Sequence, residues 1–270
     1  MLDTLSGDML NGLIWMVRHC ADSAETAVWL ARMLVESQSR RAPMSYPRNA
    51  NITLVQSLAT RGHLKEAYEA LRKMPVAADG SAFFFLQLAE LGTVPKDTAE
   101  VVFRGWPKQR DFGLVIFSLP WWGMQGDTAS IRAVMRRARL KPDMGEARDA
   151  ALNGPMYLAL ARHDTAEVLR LLPAAPHWPE VVQLWARLLE AQGKDSAAGA
   201  VLDWHDSGGP LYVLQRLEQA KIAERLDDRD EALRSYQFAL DMWRSADPEL
   251  QPYVSEARAA LLRLSGEKRP

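Results

Sequence analysis

The chain holds a single cysteine, Cys20, in 270 residues. That excludes an intrachain disulfide and any cysteine-built zinc site. A small buried hydrophobe is the expected role for Cys20. Charge of one sign is also missing: 33 Lys+Arg against 34 Asp+Glu leave a net charge of −1. No global field exists to gather nucleic acid or an anionic membrane. Long hydrophobic runs are absent. The longest, Leu114 to Trp122, is nine residues broken by Ser118 and Pro120, against the ~20 that cross a bilayer. No cationic segment precedes an apolar stretch at the N-terminus, so it does not read as a signal peptide. The cytoplasm is the favoured compartment.

Catalytic signatures are missing too. There is no Gly-x-Ser-x-Gly elbow, and Cys20 beside His19 is a sequence neighbour rather than a dyad. Neither His163-Asp164 nor Asp203-Trp204-His205-Asp206 has a second ligand at i, i+4, and both lie near turns. Asp111-Phe112-Gly113 stands without the other kinase elements and reads as chance. The expectation is no catalytic residue, no metal, no cofactor and no enzyme.

What is present is helical periodicity. Leu10, Leu13, Ile14 and Val17 form one stripe; Ala27, Leu30, Ala31 and Leu34 form the next. Apolar residues make up 48% of the chain, enough for a continuous core. A small residue followed four positions later by a larger one recurs along the chain. It reads Ala67/Leu71, Ala99/Phe103, Ala198/Leu202 and Ala232/Tyr236, with degenerate versions at Ala27/Ala31, Ile131/Met135 and Val168/Leu172. The starts differ by 40, 32, 32, 37, 30 and 34 residues. A period of this size signals stacked helical hairpins, none able to bury its apolar face alone.

Tight turns are expected at Arg61-Gly62-His63, Gln125-Gly126-Asp127, Arg162-His163-Asp164, Gln192-Gly193-Lys194 and Leu226-Asp227-Asp228. Glycine or a short polar residue suits a reversal through φ > 0. Prolines and serines between 37 and 49 mark an irregular connection. The chain is thus read as one array over 1–270: an N-terminal hairpin over 1–36, a connection over 37–48, degenerate repeats over 49–205, and a C-terminal repeat with a capping helix over 206–270. The fold class is all-α.

These features resemble the tetratricopeptide repeat (TPR). The match is best over 211–248, where Ala220, Ala223, Ala232, Tyr236, Ala239 and Pro248 follow its pattern. The resemblance implies an α-solenoid of about seven helix-turn-helix repeats wound as a right-handed superhelix. The segment from Glu231 to Leu261 also resembles the C-terminal repeats of bacterial signalling proteins, serine/threonine protein kinases among them. That implies an attached or neighbouring kinase domain as a partner. It also raises an extracytoplasmic domain of a membrane kinase as the alternative location.

The resemblance places a ligand along the groove lined by first helices. By register this gives Asn49, Ile52 and Gln56; Asn153 and Tyr157; Gln183, Arg187 and Glu190; and Leu217, Lys221, Glu224 and Arg225. The leading expectation is a non-catalytic protein- or peptide-binding scaffold of a bacterial signalling protein. The alternative is a small-molecule sensor whose aromatic pocket draws on Trp106, Trp121, Trp122 and Trp178. Nine tryptophans are many for this length, and gap-filling between degenerate repeats competes with ligand stacking for them. Arg132, Arg136 and Arg139 share one helix face and read either as a solvated surface or as an anion site.

Overall fold

The computed structural model describes residues 7–38, 50–74, 81–105, 116–140, 145–176, 178–203 and 209–266. Most of the predicted irregular connection, Asn49, Trp106, Asp111-Phe112-Gly113 and Trp204-His205-Asp206 lie outside them. The described residues are all-α, with no strand among them.

Among the described residues fifteen α-helices with defined bounds follow in order. They are α1 (Gly7–Val17), α2 (Ala24–Gln38), α3 (Ala50–Arg61), α4 (Leu64–Arg72), α5 (Ser81–Glu90), α6 (Lys96–Gly105), α7 (Leu119–Gln125), α8 (Thr128–Arg139), α9 (Gly145–Leu160), α10 (Thr165–Leu171), α11 (Pro179–Glu190), α12 (Asp195–Leu202), α13 (Pro210–Arg225), α14 (Arg229–Met242) and α15 (Gln251–Gly266). Helices pair in hairpins: α1 with α2, α3 with α4, α7 with α8, α9 with α10, α11 with α12, and α13 with α14. The repeat markers fall on the second helix of a predicted hairpin, except Leu172 in the 3-10 turn that follows its helix, and all but Met135 are buried. Ala67, Ala198 and Ala232 are 0% exposed. A small side chain there lets two helices approach at the short end of the usual ~8–10 Å range.

The five predicted reversals all pass through left-handed backbone. Gly62, Gly126 and Gly193 have φ of 87°, 72° and 69°; His163 and Asp227 have φ of 59° and 61°. Each turn closes by a backbone bond back onto the preceding helix, as from His63 N to Leu58 O at 2.9 Å. In three turns the next residue is an aspartate that caps the second helix. Asp127 accepts from Ser130 N at 3.0 Å, Asp164 from Glu167 N at 3.1 Å, and Asp228 from Glu231 N at 3.1 Å.

The chain forms two compact units, Met1–Thr93 with Ser207–Pro270, and Val94–Asp206. In the first, Leu10, Ile14, Ala27, Leu30, Ala31, Leu34 and Ala50 form a core cluster. In that unit α3 packs against α13, and the 3-10 turn Ala21–Ser23 packs against α14. Hairpins far apart in sequence therefore touch there, whereas in a linear array each repeat contacts only its neighbours. In the second unit Ile131, Val134 and Ala138 of α8 are buried, as are Ala147, Ala150 and Met156 of α9.

Candidate functional site

A cleft of about 510 Å³ opens in the first unit between α13 and α15. Lys221, Glu224 and Arg225 come from α13, Tyr236 from α14, and Glu256, Ala259, Ala260 and Arg263 from α15. The local sequence explains the arrangement. Leu217 and Ala220 of α13 are turned into the core, so Lys221, Glu224 and Arg225 lie on or beside its outward face. On α15, Val254, Ala257, Ala260 and Leu264 are buried. Glu256, Ala259 and Arg263 sit beside that stripe and are exposed. Small Ala259 and Ala260 leave the volume open.

Charge dominates the walls. Lys221 Nζ lies 3.1 Å from Glu256 and 3.3 Å from Glu218. Burial alone would lower its pKa, but the charges of Glu218 and Glu256 and their hydrogen bonds raise it. Tyr236 hydroxyl donates to Glu224 Oε2 at 3.1 Å, and Arg263 Nε donates to Glu224 Oε1 at 3.0 Å. Burial, followed by the charge of Glu224 and its hydrogen bond, pushes the phenol far above its ordinary pKa. Tyr236 thus keeps its proton, which it donates in the hydrogen bond to Glu224. Three cations and two carboxylates line the cleft. Among the described residues no cluster of His, Cys, Asp or Glu suits a metal.

Of the groove residues expected from register, Lys221 and Arg225 come together here, with Glu224. Gln56 on α3 is half-buried. Asn153 and Tyr157 on α9 are 2% and 4% exposed. Tyr157 is covered because α7 crosses it at Gly123, where a Cβ would stand 3.0 Å from its ring. The buried Asn153 Oδ1 accepts no hydrogen bond among the described residues. On α11, Gln183 is buried, Arg187 exposed and Glu190 half-buried. Trp121 and Trp122 are buried on α7, Trp121 stacked on Phe103 with centroids 4.7 Å apart. Trp178 is half-buried against Phe117 at 5.0 Å.

Cys20 departs from expectation, being exposed. The inward stripe of α1 runs through Leu10 and Ile14 to Val17, where the helix ends, so Cys20 falls past the last in-phase position. Sequence reasoning also missed Glu256 and Arg263, having read α15 only as a cap. Their i, i+7 spacing around Ala259 and Ala260 was the available signal.

No family model and no curated protein matches the chain. Among solved structures, the chain is similar to a tetratricopeptide repeat protein from Parabacteroides merdae ATCC 43184, with a TM-score of 0.47 and 12% identity. The match covers 96% of this chain and 99% of that one.

Proposed function

We propose that the chain is a non-catalytic scaffold that binds a protein or peptide segment in the cleft between α13 and α15. The observation that carries this reading is the cleft itself: an open slot about 510 Å³ in volume with charged groups on both walls. Such walls suit a backbone and polar side chains better than a compact apolar molecule, which seeks a mostly hydrophobic pocket. Burial of Trp121 and Trp122 supports packing over ligand stacking for those two residues. The resemblance of residues 231–261 to the repeats of bacterial signalling proteins supports service to such a protein, a kinase domain being the partner it implies.

The test is selection of displayed peptides on the full chain, repeated with Ala259→Trp. Ala259 is an exposed cleft residue, so the indole fills the slot without entering the core. Peptides enriched on the wild type should lose binding to the variant while its melting temperature holds. Equal binding to both proteins would remove the cleft from the reading.

A further inference from the structure

The second unit carries a charged feature that the cleft does not use. Arg132, Arg136 and Arg139 stand on one face of α8 and are all exposed. From Arg132 to Arg139, seven residue steps, the face runs about 10 Å at 1.5 Å per residue. Four exposed arginines elsewhere, on a helix or just past its end, pair with a carboxylate three residues away: Arg72 with Glu69 at 3.0 Å, Arg170 with Glu167 at 2.6 Å, Arg234 with Glu231 at 2.7 Å and Arg244 with Asp241 at 3.2 Å. Helix α8 contains no acidic residue. Arg132, Arg136 and Arg139 have no hydrogen bond or ion pair among the described residues. Like charges three and four apart repel one another, so the stripe works against its own helix. The helix dipole accounts for cations in the last turn alone. Arg132 sits in the first half of α8, outside that effect.

We propose that this face of α8 is a second interaction surface, and that its partner is an acidic protein segment with carboxylates at matching helical spacing and an apolar residue beyond them. Guanidinium forks fit carboxylates bidentately, and three in a row select for three acids. Leu140 follows directly at 82% exposure, one turn beyond Arg136. It offers the apolar contact at the end of the charged row. A net charge of −1 gives no broad field for a nucleic-acid backbone, so the attraction is confined to this stripe.

The probe is a labelled 16-residue alanine-based peptide with glutamates at i, i+4 and i+7 and leucine at i+8, titrated onto the full chain at low salt. Its counterpart carries glutamines. The glutamate peptide should bind about tenfold or more tightly than the glutamine peptide, and lose that advantage in 0.5 M salt. Arg132→Glu with Arg136→Glu and Arg139→Glu should abolish the difference. The same three positions changed to Gln should also abolish it, which guards against a folding defect of the reversed-charge protein. Arg244→Gln and Ala259→Trp should leave binding intact, separating this face from the cleft. Equal binding by the stripe variants overturns the proposal. So does preference for a 20-base-pair DNA duplex or for phosphatidylserine vesicles over the peptide. Salt-sensitive self-association lost in the stripe variants would assign the face to a second copy and overturn it as well.

Discussion

The carboxylate of Asp247 accepts a hydrogen bond from the Lys65 amide at 2.8 Å. It thereby caps a helix from 182 residues beyond the bonded amide in the chain. The residue in the capping position of α4, His63, makes no side-chain cap bond, so Asp247 takes over its task. Around this contact the backbone of Asp247 donates to Gly62 O at 3.0 Å, and Trp243 Nε1 donates to Thr60 O at 3.2 Å. Asp247→Ala should cost about 0.5–2 kcal/mol, the usual loss for a cap. Hydrogen exchange should quicken at the first amides of α4 before the rest of the unit. Unchanged exchange there would show that the cap is dispensable.

Gly62 sits at the same junction, and its backbone φ of 87° is one that side chains rarely adopt. A Cβ there would lie 2.7 Å from Ala246 Cβ, which cannot rotate away. Gly193 has φ of 69° with nothing within 4 Å of its added Cβ. Gly193→Ala should therefore cost only the left-handed strain, about 1 kcal/mol. Gly62→Ala adds overpacking of about 1–3 kcal/mol to the same strain. Urea midpoints of the two variants should be clearly separated, with Gly62→Ala lower. Equal midpoints would mean that the junction yields.

The repeat was legible because its two requirements are local. A small residue must sit where two helices touch, and a turn residue must tolerate positive φ. Ala67, Ala198 and Ala232 answer the first, and Gly62, Gly126 and Asp227 answer the second. The contact of α3–α4 with α13–α14 was not legible. It depends on Arg61, Asp247 and Trp243, three residues with no spacing relation to one another. Half of the cleft was legible for the same reason. Lys221 and Arg225 follow from the phase of α13, whereas Glu256 and Arg263 required knowing which helix lies beside it. The burial of Tyr157 depended on Gly123, a missing side chain on another helix.

Arg61 has a side chain only 5% exposed, and Glu25 is its counterion at 2.7 Å. The guanidinium also donates to Met242 O at 2.7 Å, satisfying a carbonyl at the end of α14. Burial alone would raise the Glu25 pKa. The hydrogen bond and charge of Arg61, with the charges of His63 and Arg32, outweigh it and hold the carboxyl below its ordinary value. A depressed folded pKa means that the stabilisation is present above the unfolded value, about 4.3. It is lost as pH falls through the folded pKa. The urea midpoint should thus decline on acidification below about pH 4.3, and Glu25→Gln should decline less steeply over that window. Asp127 and Glu231 are shifted in the same direction, so only the difference between wild type and variant isolates Glu25. Parallel curves would show that the pair contributes nothing.

The turn before α14 divides two tasks between adjacent aspartates. Asp227 carries the left-handed backbone at φ of 61°, and Asp228 supplies the cap through its bond from Glu231 N. Opposite outcomes follow from similar substitutions. Asp227→Gly relieves a conformation costing an ordinary residue about 1 kcal/mol. The gain is partly offset by the extra freedom of glycine in the unfolded chain, and aspartate tolerates this region better than most residues. A net change between zero and about 0.5 kcal/mol in favour of folding is expected. Asp228→Gly keeps a tolerated cap residue and should cost a few tenths of a kcal/mol, while Asp228→Ala should cost about 1 kcal/mol. The ranking by thermal melt is thus Asp227→Gly at or above wild type, then Asp228→Gly, then Asp228→Ala. A stabilised Asp228→Ala, or an Asp227→Gly as damaging as it, would reverse the assignment of the two residues. The same ranking carries to His163 and Asp164, where a left-handed His163 at φ of 59° precedes the capping aspartate of α10. His163→Gly should melt at or above wild type through its backbone, and Asp164→Ala should cost about 1 kcal/mol through the lost side-chain cap.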